Sequence, residues 1–483
     1  MTRGCSSVTM TSGLQALIVS MLLLAALPSP TAAQTTDPSP GEGASGGEET
    51  GDGEGSPLTR PFRGLFGFGD SGRTGADVSG SLYGAYDENL GATLPGRAAD
   101  PRYQKSGWYA GGNSRFNFNW RGERASFNGW GGASANYYPE ARNDVFNRDS
   151  LVPTYMGGVG FGRPLGRRNT VSASFRAGYS PYYLNGFFAD VPSLDPLPAP
   201  PVEVDPGVNV AGGTLARYST TVGLTRQLSR KSSFSLNYGY SLTDYSDTSR
   251  QYTQQFGSAQ FRRQLTRHAN LRLGYSYRGA TNQLSDALIG DTAMHRDMHN
   301  VDAGVDYNRS FTLTSSRRTT VSFSTGSAFF TGRSLAEDGL SEQSRTRFFV
   351  TGNASLVHEM GRTWRLAAVY TRSAGFSDLV FEPLTSDSVS VSLSGLIGRR
   401  NEVSATGSTS SGRVGSGRPG SDFQTYVAQA QWRRAITRFI AGQVSYLYYN
   451  HDFAQSVVLP LGFPHVANRH GVRAGVTVFF PLH

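Results

Sequence analysis

The chain has 483 residues, of which 38% are hydrophobic, 12% aromatic and only 17% charged, with a formal net charge of +9. Past the N-terminus it has no apolar run of the ~18 residues that a membrane-crossing helix needs, which excludes a helical membrane protein. Low charge with abundant Tyr and Phe also excludes a chain disordered throughout.

Leu14 to Leu27 is an apolar stretch behind the basic Arg3, followed by Pro28, Pro30 and the small residues Thr31, Ala32 and Ala33. This is the layout of a secretory signal peptide, so residues 1–33 are expected to direct Sec export and to be cleaved after Ala33. Cys5 is the single cysteine and leaves with that segment, so no disulfide can staple the exported chain. Residues 34–75 are expected to be a linker. Their stretch Gly41 to Ser56 is acidic and without large apolar side chains, so it cannot bury a core. Leu65, Phe66 and Phe68 form a small apolar cluster near its end.

Residues 76–483 read as one domain with a period of two. In 107–120 the apolar Trp108, Phe116, Phe118 and Trp120 alternate with Asn113, Arg115, Asn117 and Asn119. In 232–245 Phe234, Leu236, Tyr238 and Tyr240 alternate with Ser235, Asn237, Gly239 and Ser241. The same pattern recurs at Leu271–Tyr277, Val301–Tyr307 and Val389–Leu393. One apolar and one polar face mark a strand between two different solvents. Strands are expected at 77–87, 107–120, 125–138, 153–162, 169–180, 214–225, 232–245, 251–261, 268–279, 298–308, 319–330, 345–357, 364–374, 386–398, 403–410, 422–432, 439–450 and 466–480. In 251–261 the alternation slips near Gln255 and Phe256. Most segments are longer than the ~5–6 residues of a mean soluble strand and suit the ~9–11 of a tilted transmembrane strand.

The connections alternate in length, with 246–250 the one short member of the long set. Short ones include 121–124, 163–168, 226–231, 262–267, 399–402 and 433–438; long ones include 88–106, 139–152, 181–213, 280–297 and 451–465. Short turns on one side and long loops on the other are the wiring of an outer-membrane barrel. The short connections hold 20 Lys+Arg against 3 Asp+Glu, and the long ones 10 against 19. The net positive charge is therefore spread around one rim, able to meet anionic lipid headgroups, and gives no nucleic-acid module. The fold expected is all-β: a transmembrane, antiparallel, up-and-down barrel of about 18 strands. Its short turns would lie in the periplasm and its long loops outside, in the outer membrane of a Gram-negative-type bacterium beside lipid and lipopolysaccharide.

The last segment, Arg473-Ala-Gly-Val-Thr-Val-Phe-Phe480, resembles the C-terminal signal by which the barrel-assembly machinery recognises its clients. The resemblance rests on Gly475, Val478 and Phe480, and Pro481-Leu482-His483 depart from it. The hairpins resemble one another. Arg226-Gln-Leu-Ser-Arg230 recurs as Arg263-Gln-Leu-Thr-Arg267, as Arg434-Ala-Ile-Thr-Arg438 and as Arg163-Pro-Leu-Gly-Arg167. Over roughly 77–480 the chain resembles the outer-membrane β-barrel porin families associated with exopolysaccharide synthesis and export. That resemblance implies a channel for export of an acidic exopolysaccharide, working with periplasmic polysaccharide-export components. Passive diffusion of small anionic solutes, or a plugged barrel that anchors envelope partners, are the alternatives.

No enzyme, cofactor or metal site is expected. His295 and His299 lie four apart without the Glu of a zinc-protease motif and are expected in a hydrated loop. His358-Glu359 is expected in a turn. His470 shares a face with Val472 and Val476, where a membrane-embedded hydrolase would need a serine partner. Function is instead expected on the polar face. Its lining set is Arg115, Asn117, Arg176, Arg217, Arg272, Arg278, Asp302, Asp306, Arg347 and Arg365, with Asn119, Asn237 and Arg473 beside them. Arginine keeps its charge and grips carboxylates or phosphates through two hydrogen bonds, so an Arg-rich wall suits anions. Tyr109, Trp130 and Tyr138 could stack on sugars, and the Pro-rich 181–213 loop is the expected lid.

Overall fold

A computed structural model describes residues 74–88, 107–137, 151–180, 215–245, 250–286, 290–314, 317–335, 342–361, 363–376, 383–414, 421–457 and 465–482. The expected signal, apolar cluster at 65–68 and 181–213 lid lie outside these residues, as do Tyr138 and the expected linker up to residue 73; its last two residues, Thr74 and Gly75, instead begin the first strand, paired with Trp120 and Asn119.

Eighteen strands account for nearly all of them. They are β1 (Thr74–Glu88), β2 (Gly107–Arg121), β3 (Ser126–Tyr137), β4 (Leu151–Leu165), β5 (Asn169–Ser180), β6 (Leu215–Ser229), β7 (Ser232–Tyr245), β8 (Arg250–Gln264) and β9 (Ala269–Asp286). The second half comprises β10 (Gly290–Thr314), β11 (Arg317–Leu335), β12 (Glu342–Met360), β13 (Trp364–Phe376), β14 (Pro383–Ile397), β15 (Asn401–Val414), β16 (Asp422–Ala435), β17 (Ile440–Phe453) and β18 (Val466–Leu482). Each strand pairs antiparallel with its sequence neighbours, and β1 pairs with both β2 and β18, which closes the sheet into a barrel. Closure leaves no unpaired edge.

Every expected strand is present, and the corrections concern ends. Residues 280–286 and 290–297 are strand rather than loop: β9 and β10 stay paired from Tyr307↔Ala269 to Gly290↔Asp286. His295 and His299 therefore sit on a strand, bonded through Nδ1 to Thr281 Oγ1 (2.9 Å) and to the Tyr275 hydroxyl (2.8 Å). His358 and Glu359 are likewise strand residues at the end of β12. The slip near Phe256 has a steric cause. Its ring lies opposite Gly239, in the space a Cβ there would take.

The two faces differ sharply. Leu82 and Trp108 are 75% and 68% exposed, whereas their chain neighbours Tyr83 and Tyr109 are 7% and 5%. The outward face carries aromatic residues at both ends. Tyr86, Trp108, Tyr137, Tyr155 and Tyr179 lie toward the loops; Phe118, Trp120, Phe127, Trp432 and Phe480 lie toward the turns. Phe118 and Trp108 on β2 stand ten residues apart, as do Phe127 and Tyr137 on β3. At ~3.3 Å per residue and a ~45° tilt this is about 23 Å, close to the ~25 Å apolar band of transmembrane barrels. The turns are tight: Gly166, Gly361 and Gly398 take φ of 75°, 69° and 70°, a conformation that glycine adopts without strain.

Candidate functional site

The inward face is built from small polar residues and arginines. Cross-strand partners share a face, so the register passes inwardness from strand to strand: Ser79 opposes Arg115, Arg115 opposes Gly132, and Gly158 opposes Arg176. On the other side Arg473 opposes Ser445, and Gln443 opposes Arg433. These residues enclose a cavity of about 330 Å³ on the wall made by β16–β18 and β1–β5.

Among the described residues lining this cavity, the ionisable ones are all arginine: Arg115, Arg176, Arg433 and Arg473. Trp130 provides the one large aromatic surface, with the Arg115 guanidinium 5.9 Å from its ring centroid. Asn117 holds Arg115 in place, accepting from its Nε at 3.0 Å while donating to Asp77 at 2.8 Å. Arg473 lies 4.1 Å above the Tyr83 ring, and Tyr83 donates to Asn136 Oδ1 at 2.6 Å. Arg433 is pinned by Glu402, with Nε to Oε2 at 2.8 Å and a second contact from Nη2. Arg176 has an exposed side chain on the wall. With Arg433 paired to Glu402, the arrangement is a cationic surface of Arg115, Arg176 and Arg473 beside a flat ring, able to hold a carboxylate or phosphate next to an apolar sugar face.

Apart from Arg347, the remaining residues of the expected lining set fall elsewhere on the same face. Arg272 bridges Asp302 (2.5 Å) and Asp306 (2.9 Å), which forms a charge-balanced cluster with Arg262 on β8–β10. Arg278 lies near Gly375, four strands away, and opposes Met298. Arg217 opposes Thr243 near the loop end, and Arg365 opposes Glu359 near the turn end. The register places Arg347 opposite Phe330. Asn119 and Asn237 oppose Asn128 and Ser258.

Arg433 and Arg262 were not recognisable as wall residues in the sequence. Each follows a run of alternation and precedes another arginine, which reads as the start of a turn. The structure carries β16 to Ala435 and β8 to Gln264, which turns both side chains inward. Their even spacing from Gln431 and Gln260 was the available signal. On the outward face His470 bonds through Nδ1 to the Tyr446 hydroxyl at 2.7 Å and packs on Tyr448, so its contacts are tyrosines.

No protein-family model matches the chain, and no curated protein matches it. Solved structures similar to it include OccAB3 of Acinetobacter baumannii, with 10% identity, a TM-score of 0.41 and coverage of 85% of this chain and 99% of that one. Another is the siderophore receptor PirA from Pseudomonas aeruginosa, with 8% identity, a TM-score of 0.39 and coverage of 84% and 80%. A third is the alcaligin outer-membrane receptor FauA from Bordetella pertussis, with 10% identity, a TM-score of 0.37 and coverage of 84% and 76%.

Proposed function

We propose that the chain is an outer-membrane channel whose lumen passes an acidic exopolysaccharide. The observation that carries this reading is the cavity wall, where the ionisable groups are arginines and Trp130 lies among them. In the Sec-exported protein Gly475, Val478 and Phe480 would present the barrel to the assembly machinery. The short turns would face the periplasm and its export components. A membrane placement is supported by the outward apolar band between two aromatic belts. Simple diffusion of small anions would use the same arginines without needing Trp130.

A second reading, a sealed barrel that anchors envelope partners, is favoured by the loop end of β16–β17. There the inward-facing Tyr449, His451 and Phe453 are at most 1% exposed.

The test is block of single-channel current by oligogalacturonate against a maltooligosaccharide of equal length. The acidic oligomer is expected to block the native barrel. In Trp130→Ala the blocks should shorten by roughly fivefold, the factor given by ~1 kcal/mol of lost contact. Equal block by both sugars would count against an acidic glycan. In cells, deletion should lower surface polysaccharide; unchanged polysaccharide with reduced small-anion uptake would select diffusion.

A further inference from the structure

None of the residues of the repeated turn sequences lines the cavity. They are Arg163-Pro-Leu-Gly-Arg167, Arg226-Gln-Leu-Ser-Arg230, Arg263-Gln-Leu-Thr-Arg267 and Arg434-Ala-Ile-Thr-Arg438. In each, the first arginine lies on the outward face within three residues of a strand's end. Arg163 opposes Val171, Arg226 opposes Phe234, Arg263 opposes Leu271 and Arg434 opposes Gly442. Two residues on stands an apolar side chain, Leu165, Leu228, Leu265 or Ile436, between 37% and 58% exposed. Two further on, in the turn itself, the second arginine is exposed as well.

Hydrogen bonds fix the backbone of three of these turns. Leu265 and Ile436 donate their N–H groups to Ala269 and Ile440, both at 2.9 Å. Thr266 and Thr437 accept from the amides of His268 (3.2 Å) and Phe439 (3.1 Å), and Ser229 accepts from Lys231 (3.2 Å). Arg438 lies 4.5 Å from the Phe439 ring, and Arg309, at the equivalent end of β10, lies 4.6 Å from Phe311. None of the four sequences contains a carboxylate. Three of them belong to the successive hairpins β4–β5, β6–β7 and β8–β9, so they form one arc below the outward aromatic belt.

We propose that this arc is a binding collar for anionic phospholipid headgroups of the leaflet at the turn end. An exposed leucine between two arginines is poorly placed in bulk water, because its apolar area stays wet. At the boundary of a bilayer the leucine meets acyl chain while the guanidiniums grip one phosphodiester through paired hydrogen bonds. The inference rests on the membrane reading above, but not on what the lumen carries.

The full-length barrel reconstituted in mixed phosphatidylcholine and phosphatidylglycerol vesicles, then extracted and weighed by native mass spectrometry, tests it. Phosphatidylglycerol should be enriched on the protein over its share of the vesicle. With Arg226, Arg230, Arg263 and Arg267 all changed to Gln the enrichment should fall by roughly fivefold or more. The same four changed to Lys should keep most of it, and inorganic phosphate should not displace the lipid. Insertion with no headgroup preference, or a preference unchanged in the Gln variant, overturns the collar alone. Displacement by phosphate also overturns it, since the leucines then add nothing. Failure to insert in any vesicle removes the membrane reading and the collar together.

Discussion

Gly475→Val is expected to prevent the barrel from closing. β18 meets β1 at this residue, and a Cβ on Gly475 would run into the carbonyl oxygen of Leu82 and lie 2.7 Å from Tyr83 Cβ. Those are backbone and near-backbone atoms, which cannot swing aside, so the cost should reach the upper part of the ~1–3 kcal/mol range for overpacking or exceed it. Refolding into lipid, followed by electrophoresis without heating, should show little of the compact form that the native chain gives. The other side of Tyr83 behaves differently. A Cβ on Gly111 meets only side chains, the Tyr83 ring at 2.6 Å and Asn136. Gly111→Ala should therefore be rescued by Tyr83→Ala, while Gly475→Ala should not. If Gly475→Val refolds normally in lipid and fails only in cells, the glycine serves recognition by the assembly machinery and not strand packing.

Glu402→Ala should cost about 3–5 kcal/mol of stability, because it removes the carboxylate that pairs with Arg433 in a nearly dry site. The Glu402 and Arg433 side chains are 8% and 6% exposed and face each other across β15 and β16. Replacing both, as Glu402→Leu with Arg433→Met, should recover most of the loss, since the desolvation of both ions disappears with them. Urea unfolding midpoints would show the difference. Asp422→Asn is the contrast. Its bond to Arg413 is short, at 2.8 Å, but the partners are 61% and 67% exposed, so the loss should stay within ~1 kcal/mol. A midpoint for Glu402→Ala no lower than that for Asp422→Asn would show that the lumen at Arg433 is wet.

The barrel was legible in the sequence because two solvents impose two faces. Wherever lipid meets one side of a strand, alternation is strict, as in 107–120 and 386–398. It fades where the outward face leaves the apolar band. On β10 the outward positions 295, 297 and 299 are His, Asp and His, which leaves no apolar face to signal a strand, so that stretch reads as a loop. The same blindness hid Arg433 at the other rim, where a basic strand end looks like a turn. Inward residues could be picked out by parity, but their grouping could not. Arg115, Arg176 and Arg473 share one cavity because the sheet curls β18 back onto β1, whereas Arg272 is neutralised by Asp302 and Asp306. Nothing in the spacing of those arginines distinguishes the two settings.

If the lumen conducts and its arginine wall selects anions, the reversal potential of the reconstituted barrel across a potassium chloride gradient will show it. The native protein should show a chloride-selective potential, and Arg115→Gln/Arg176→Gln/Arg473→Gln should move it toward zero. No current at all would establish the sealed barrel, and a cation-selective or unaltered potential would contradict the role assigned to these arginines.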